Sequence, residues 1–278
     1  MKKSMLILCT VVLMLSACIK FPGEPVVIIR NYKIDFKIGG LNHNVGDPNV
    51  GFPTEPIQNF VQQLSIVAYN TQTGAEVARQ TQLPGTPNFG QISFELPSGT
   101  YNFVAIGSQS EFGINQFYEA DKNSPVYSPY AQANFQYWQP SFSSLDKRYK
   151  TSDTFFAKQI GIVINKNQTL EVIMERIVGL LNVIVTDRSD YSIEITSELS
   201  GFRFDTAVPF STIENDFSSA VKHSKDGPIS FYILKNQTPV NLHLGVGAEP
   251  TFQILVAKNK RTTVRVQWET KTYTTTVE

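Results

Sequence analysis

Leu170-Glu-Val-Ile-Met-Glu-Arg-Ile-Val-Gly-Leu-Leu-Asn-Val-Ile-Val185 is the stretch on which the fold reading turns. Leu170–Met174 has the β-branched, alternating character of a strand. Arg176 to Gly179 reads as a junction. Beyond it the alternation starts afresh with Leu181, Val183 and Val185. A strand that ends, an arginine, and a strand that begins again suggest two β-units in tandem.

Working towards the N-terminus, Tyr32, Ile34, Phe36 and Ile38 alternate with Lys33, Asp35 and Lys37, the mark of a half-buried strand. Leu41 to Pro56 reads as loop. Ile57, Phe60, Val61 and Leu64 are spaced for a short helix before a strand over Leu64–Tyr69. Ile92, Phe94 and Leu96 form another strand, and Pro97-Ser98-Gly99 turns into Tyr101–Ile106. Ser108 to Ser152 reads as a long irregular stretch. Ile160, Ile162 and Ile164 restore the alternation. Towards the C-terminus come Ile193 and Ile195, Ile229–Leu234, Val240 to Val246 and Phe252–Val256. Ile213, Phe217, Ala220 and Val221 have the spacing of a short amphipathic helix. Thr262–Glu269 and Thr272–Val277 pair as a hairpin across Thr270-Lys271. Strands every 8–12 residues without long helices between them predict an all-β chain of two tandem antiparallel β-sandwiches. Their expected bounds are 31–176 and 177–278.

Lys2 and Lys3 precede an apolar run from Met5 to Leu15, and Leu15-Ser16-Ala17-Cys18 closes it. The run is too short to span a bilayer, which needs about 20 residues. It has the layout of a secretory signal peptide. Cysteine after Leu-Ser-Ala resembles the lipobox of bacterial lipoproteins. That resemblance implies a signal peptide over 1–17, acylation (palmitate-type chains) at Cys18, and a lipidated tether over 18–30. The plainer reading is an ordinary signal peptide with an incidental cysteine. Each buried methylene adds about 0.8 kcal/mol, so several acyl chains would hold the protein on a membrane.

Composition narrows the function. Lys plus Arg equal Asp plus Glu at 24 each, and losing Lys2 and Lys3 leaves a slight acidic excess. Nucleic acid is an unsuitable partner for such a surface, since phosphate binding needs clustered positive charge. The two cysteines are Cys9, in the signal, and Cys18, so no disulfide or thiolate metal site is expected. His43, His223 and His243 form no metal motif, and no cofactor fingerprint occurs. His243 alternates with Leu242 and Leu244 and should point away from the core. Glu171 and Glu175 should face solvent. No catalytic constellation is visible, so no enzyme activity is expected.

The aromatic-rich stretch 118–149 admits two readings. Tyr130, Tyr137 and Trp138 stand there among Ser, Asn and Gln. Exposed, such rings would stack on sugars and make a surface glycan-binding lipoprotein. Otherwise the stretch packs its own rings over the first sandwich.

Four segments together resemble the fimbrillin superfamily of two-domain fimbrial lipoproteins. They are Leu64–Asn70 with its glycine turn, Leu96–Ala105, Ser152-Asp-Thr-Phe-Phe-Ala157, and Leu170–Val185. The resemblance implies transthyretin-like, Greek-key sandwiches. It is strongest to the FimB-like anchor and assembly branch, which implies a lipoprotein at the outer membrane, exposed at the cell surface, holding the base of a fimbrium. Fimbrial shaft subunits would be its partners and β-strand addition its mode of assembly. Shaft subunits lose their lipid to a trypsin-like protease; here the basic sites are Arg30 and Arg79. Arg30 lies close to the lipid, and cutting there would leave the strand Tyr32–Ile38 in place. The last strand, Thr272–Val277, has no successor to cover it and is the candidate free edge, with Tyr32–Ile38 the alternative. Proline at Thr274 and Thr276 is expected to remove donors from that last strand.

Overall fold

Ten strands form in the first part of the chain: β1 (Asn31–Gly39), β2 (Gln63–Asn70), β3 (Glu76–Gln82), β4 (Ile92–Pro97), β5 (Gly99–Ser108), β6 (Phe112–Ile114), β7 (Asn134–Tyr137), β8 (Thr154–Ile164), β9 (Gln168–Ile173) and β10 (Glu175–Arg176). This computed structural model describes residues 30–47, 51–116, 123–138, 151–211, 220–246 and 250–278. The signal peptide and Cys18 lie outside them. Alternation places Ile34, Phe36 and Ile38 of β1 inside, as expected. The helical spacing at Ile57 yields only one 3₁₀ turn, Ile57–Asn59, because β2 begins at Gln63 and leaves no room for more.

The remaining strands are β11 (Gly179–Val185), β12 (Ser192–Thr196), β13 (Gly201–Arg203), β14 (Pro209–Phe210), β15 (Ala220–His223), β16 (Ile229–Ile233), β17 (Val240–Leu244), β18 (Thr251–Ile254), β19 (Arg261–Gln267) and β20 (Thr272–Val277). Residues 212–219 of the expected short helix are outside the described residues, and its last two positions, Ala220 and Val221, open β15.

Sheets pack around three cores. Sheet β4-β1-β9 lies against one face of β10-β8-β5-β2-β3, with Phe36, Leu64, Ile66, Phe103 and Met174 between them. The other face of that five-stranded sheet carries Val67, Tyr69, Val104 and Ile106. These pack with Phe135, Tyr137, Phe202 and Phe204 of the β14-β13-β7-β6 region. This explains why β2 and β5 read as continuous apolar runs rather than clean alternation: both faces are covered. The third core lies between β16-β11-β19-β20 and β15-β12-β17-β18, and draws only on residues after Val178. Tyr32–Glu278 form one compact unit.

Three local expectations are corrected. The stretch Ser108–Ser152 is not loop throughout, since it supplies β6 and β7. The pairs β1/β9 and β11/β19 run parallel, which long crossovers between those strands permit. Ile160 is 52% exposed although Ile164 is fully buried. The register slips opposite Asn102, whose side-chain oxygen accepts from the N–H of Gly161. Gly161 takes φ +71, so this is a bulge that changes the phase of the alternation.

Candidate functional site

The C-terminal sheet ends at β20. Among the described residues β20 pairs with β19 alone. The alternative edge is ruled out, because β1 lies between β4 and β9. Sequence alternation in Thr262, Val264 and Val266 buries β19 and holds the hairpin in register, with Thr262 opposite Val277 and Val266 opposite Tyr273. Every residue of β20 is exposed.

Which backbone groups face outward follows from the ladder. Arg261 and Glu278 exchange both backbone hydrogen bonds. Residues two apart repeat that relation, so Thr276 and Thr274 turn their N–H groups towards β19. The intervening Tyr273, Thr275 and Val277 therefore direct theirs outward. The expectation for Thr274 and Thr276 is corrected accordingly: proline there would cut the hairpin and spare the edge. Opposed residues share a face, so Tyr273, Thr275 and Val277 also lie on the core-facing side with Thr262, Val264 and Val266. They sit beyond the core, with Tyr273 at 40% and Val277 at 56% exposure. Tyr273 touches Phe252 of β18, the edge of the facing sheet, at 4.8 Å between ring centroids. Two sheet edges thus lie side by side along one seam. An added strand there would gain backbone hydrogen bonds from β20 and bury its overhanging side chains. Lys271 and Glu269 lie in the turn, and Arg265 lies on the outer face of β19. Charges at these places discourage indiscriminate pairing.

The edge at β3 offers less. On β3, Glu76 accepts from Arg79 at 2.6 and 2.7 Å, and Arg79 donates to the carbonyl of Val126 at 3.0 Å. The Arg79 side chain is 15% exposed and part of a paired strand, which makes it a poor protease site in the folded chain. Arg30 is exposed.

The aromatic residues singled out for glycan stacking are placed differently from a stacking platform. Tyr137 is fully buried, its hydroxyl 2.7 Å from Thr154 Oγ1, and burial pushes its pKa up. Trp138 is 4% exposed, with its ring against Gly113. Tyr130 is half-buried against Tyr69, and burial pushes its phenol up to about 12. These three positions pack over the first part of the chain, and Tyr118, Phe142 and Tyr149 lie outside the described residues. His243 sits between Thr196 and Thr251, at 2.9 and 3.2 Å, away from the core as its alternation required. Glu171 pairs with Lys37 and Glu175 with Lys258 at the surface.

Arg176 holds a more central place than its sequence position suggested. Its guanidinium is bidentate to Asp153 at 2.6 and 2.9 Å. It also donates to Asn42, to the Asn44 carbonyl and to Asn259 Oδ1. The segment after β1, the lead into β8 and the turn before β19 are therefore fixed to one buried cation. Burial pushes the Asp153 carboxyl up, while Arg176 pulls it down.

Comparison with known proteins agrees with this architecture. The sequence matches, over residues 29–276, the family described as Fimbrillin-A associated anchor proteins Mfa1 and Mfa2. None of the curated proteins matches the chain. A candidate adhesin from Bacteroides thetaiotaomicron superposes with a TM-score of 0.53 at 12% identity, over 91% of this chain and 97% of that one. A candidate polysaccharide-binding protein of the same organism gives 0.52 at 12% identity, over 86% and 92%. The fimbrial anchor protein Mfa2 from Porphyromonas gingivalis gives 0.50 at 10% identity, over 89% and 96%. At such identities the structural likeness speaks for the fold, and the match of the family over nearly the whole sequence speaks for descent. This chain belongs to the family of fimbrillin-A associated anchor proteins, with a fimbria-associated, structural role.

Proposed function

We propose that this protein is a lipid-tethered anchor and assembly subunit that joins a fimbrial polymer by β-strand addition along β20. Membership of the anchor family supports the fimbrial role. The observation that carries the mode of assembly is the outward row of N–H groups at Tyr273, Thr275 and Val277 beside the edge of β18. A segment from a fimbrial shaft subunit would lie along this row, its alternate side chains covering Tyr273 and Val277. Cys18 would carry the acyl chains that hold the base of the fimbrium to the outer membrane at the cell surface. The lipid then fixes the molecule and β20 joins the polymer, without chemistry at either.

The experiment is attachment of fimbriae to cells carrying Thr275→Pro with Val277→Pro. Fimbriae should detach while the folded lipoprotein stays with the membrane. Normal attachment and length in a folded double variant would overturn the use of this edge. Labelling with a fatty-acid analogue should mark the wild type and spare Cys18→Ala, and equal labelling would remove the lipid from the proposal. A glycan-binding role through Tyr130, Tyr137 and Trp138 receives no support, since Tyr137 and Trp138 are buried and Tyr130 is half-buried.

A further inference from the structure

Between β16 and β12 lies a cavity of about 420 Å³, walled by Leu180, Ile195, Phe231 and Ile233, with Lys222 and Glu198 also lining it. Most of that wall is apolar. Thr151, Ser230 and Tyr232 add polar groups to it, and Glu198 brings a carboxylate that is 6% exposed. Its Oε1 accepts from the N–H groups of Leu234 and Lys235 at 2.8 and 2.9 Å. Its Oε2 has no hydrogen-bond partner. A buried carboxylate oxygen without a donor is costly, and native proteins ordinarily satisfy such atoms. Lys222 does not meet the need. Its Nζ lies over the Phe231 ring at 5.4 Å, and Lys235 is the lysine whose charge lowers the Glu198 pKa.

We infer that this cavity is a binding site for a primary ammonium group on an aliphatic stem, with Glu198 Oε2 accepting from the ammonium and the apolar walls covering the stem. An ammonium supplies the donor and the charge that Oε2 lacks. Leu180, Ile195 and Ile233 suit methylenes rather than a hydrated ion. Burial raises the Glu198 pKa to about 7, against the pull of the surrounding backbone N–H groups, so the carboxylate is mostly charged at pH 8. The same chemistry is offered by a free alkylamine and by a lysine side chain of another protein. The site is separate from β20 and does not depend on strand addition there.

The test is calorimetric titration of the full-length chain in detergent at pH 8 with n-pentylamine, with n-pentanol, and with a blocked lysine peptide. Pentylamine should bind and pentanol should not. Glu198→Gln should weaken amine binding at least about tenfold. Lys222→Gln should strengthen it by removing a like charge from the cavity wall. Binding of pentylamine alone assigns the site to free amines; tighter binding of the peptide assigns it to a protein lysine. No binding of either, or equal binding to wild type and Glu198→Gln, overturns the inference. Should Glu198→Gln fail to fold, Thr151→Trp fills part of the same cavity while keeping the carboxylate. Unchanged amine affinity in that variant overturns it equally.

Discussion

Arg176 is the largest fully buried side chain among the described residues, and it carries a charge. Its worth lies in the contrast between a satisfied and a broken pair. Arg176→Met leaves Asp153 buried beside unfilled carbonyl partners, and removing one member of such a pair costs about 3–5 kcal/mol. Urea unfolding should show that loss, and a change below about 1 kcal/mol would refute the hub. Arg176→Lys should also destabilise, since an ammonium cannot serve Asp153, Asn42 and Asn259 in one plane. Glu198 makes a second prediction at this level. Its carboxyl titrates near 7 in the folded chain against an ordinary 4.5. The folded state therefore binds more protons than the unfolded state between those values, and the Glu198 contribution to stability falls as pH rises through that window. The decline amounts to about 3 kcal/mol, from about 1.4 kcal/mol per pKa unit. Glu198→Gln should flatten that part of the stability profile between pH 4 and 8. An identical slope in wild type and variant would rule out Glu198 as its source.

Strands add a constraint that no single side chain reveals. On β20, adjacent threonines of the same type differ in what their N–H groups do. Thr274 faces β19, opposite Arg265, and Thr275 faces outward. Thr274→Pro should therefore remove a ladder hydrogen bond and speed amide exchange across the β19–β20 hairpin. Thr275→Pro should leave exchange on β19 close to wild type. Equal loss of protection in both variants would show that the hairpin register differs from the one described. The same period of two explains the exposed overhang: positions opposite Thr262, Val264 and Val266 inherit the core-facing side, yet sit past the last residues that could cover them.

Across the molecule the three cores divide unevenly. The third draws only on residues from Leu181 to Val266. The second core mixes Phe135 and Phe156 with Phe202 and Phe204, and its strands β7 and β13 pair across the Arg176 junction. We propose the division at residue 176 in this asymmetric form. Expressed alone, 177–278 should be folded and β-rich by circular dichroism. Expressed alone, 31–176 should be less stable than the full chain and bind a hydrophobic dye, because Phe135 and Phe156 lose their ring partners at 5.9 and 4.9 Å from Phe202. A soluble, dye-free first half as stable as the full chain would contradict this account.

Local pattern by itself determined the β character, the strands with one buried face, the C-terminal hairpin and the outward aim of His243. Alternation is written residue by residue, and one covered face suffices to select it. The arrangement of Leu170–Val185 as strand, arginine and strand was equally legible. The sequence hinted at the burial of Arg176 only through Met174 two residues before it and Ile177 and Val178 after it, with Glu175 between. What it bonds could not be read, because Asn42, Asp153 and Asn259 come from remote segments. The aromatic stretch admitted two readings for a related reason. Rings among amides look alike whether they face sugar or core, and only the packing of β7 against β13 decides that Phe135 and Tyr137 are interior. Tertiary structure alone also decided which edge stays free and which N–H groups it offers. Pairing order and register join distant strands, and nothing within a strand's own sequence states which neighbour will cover it.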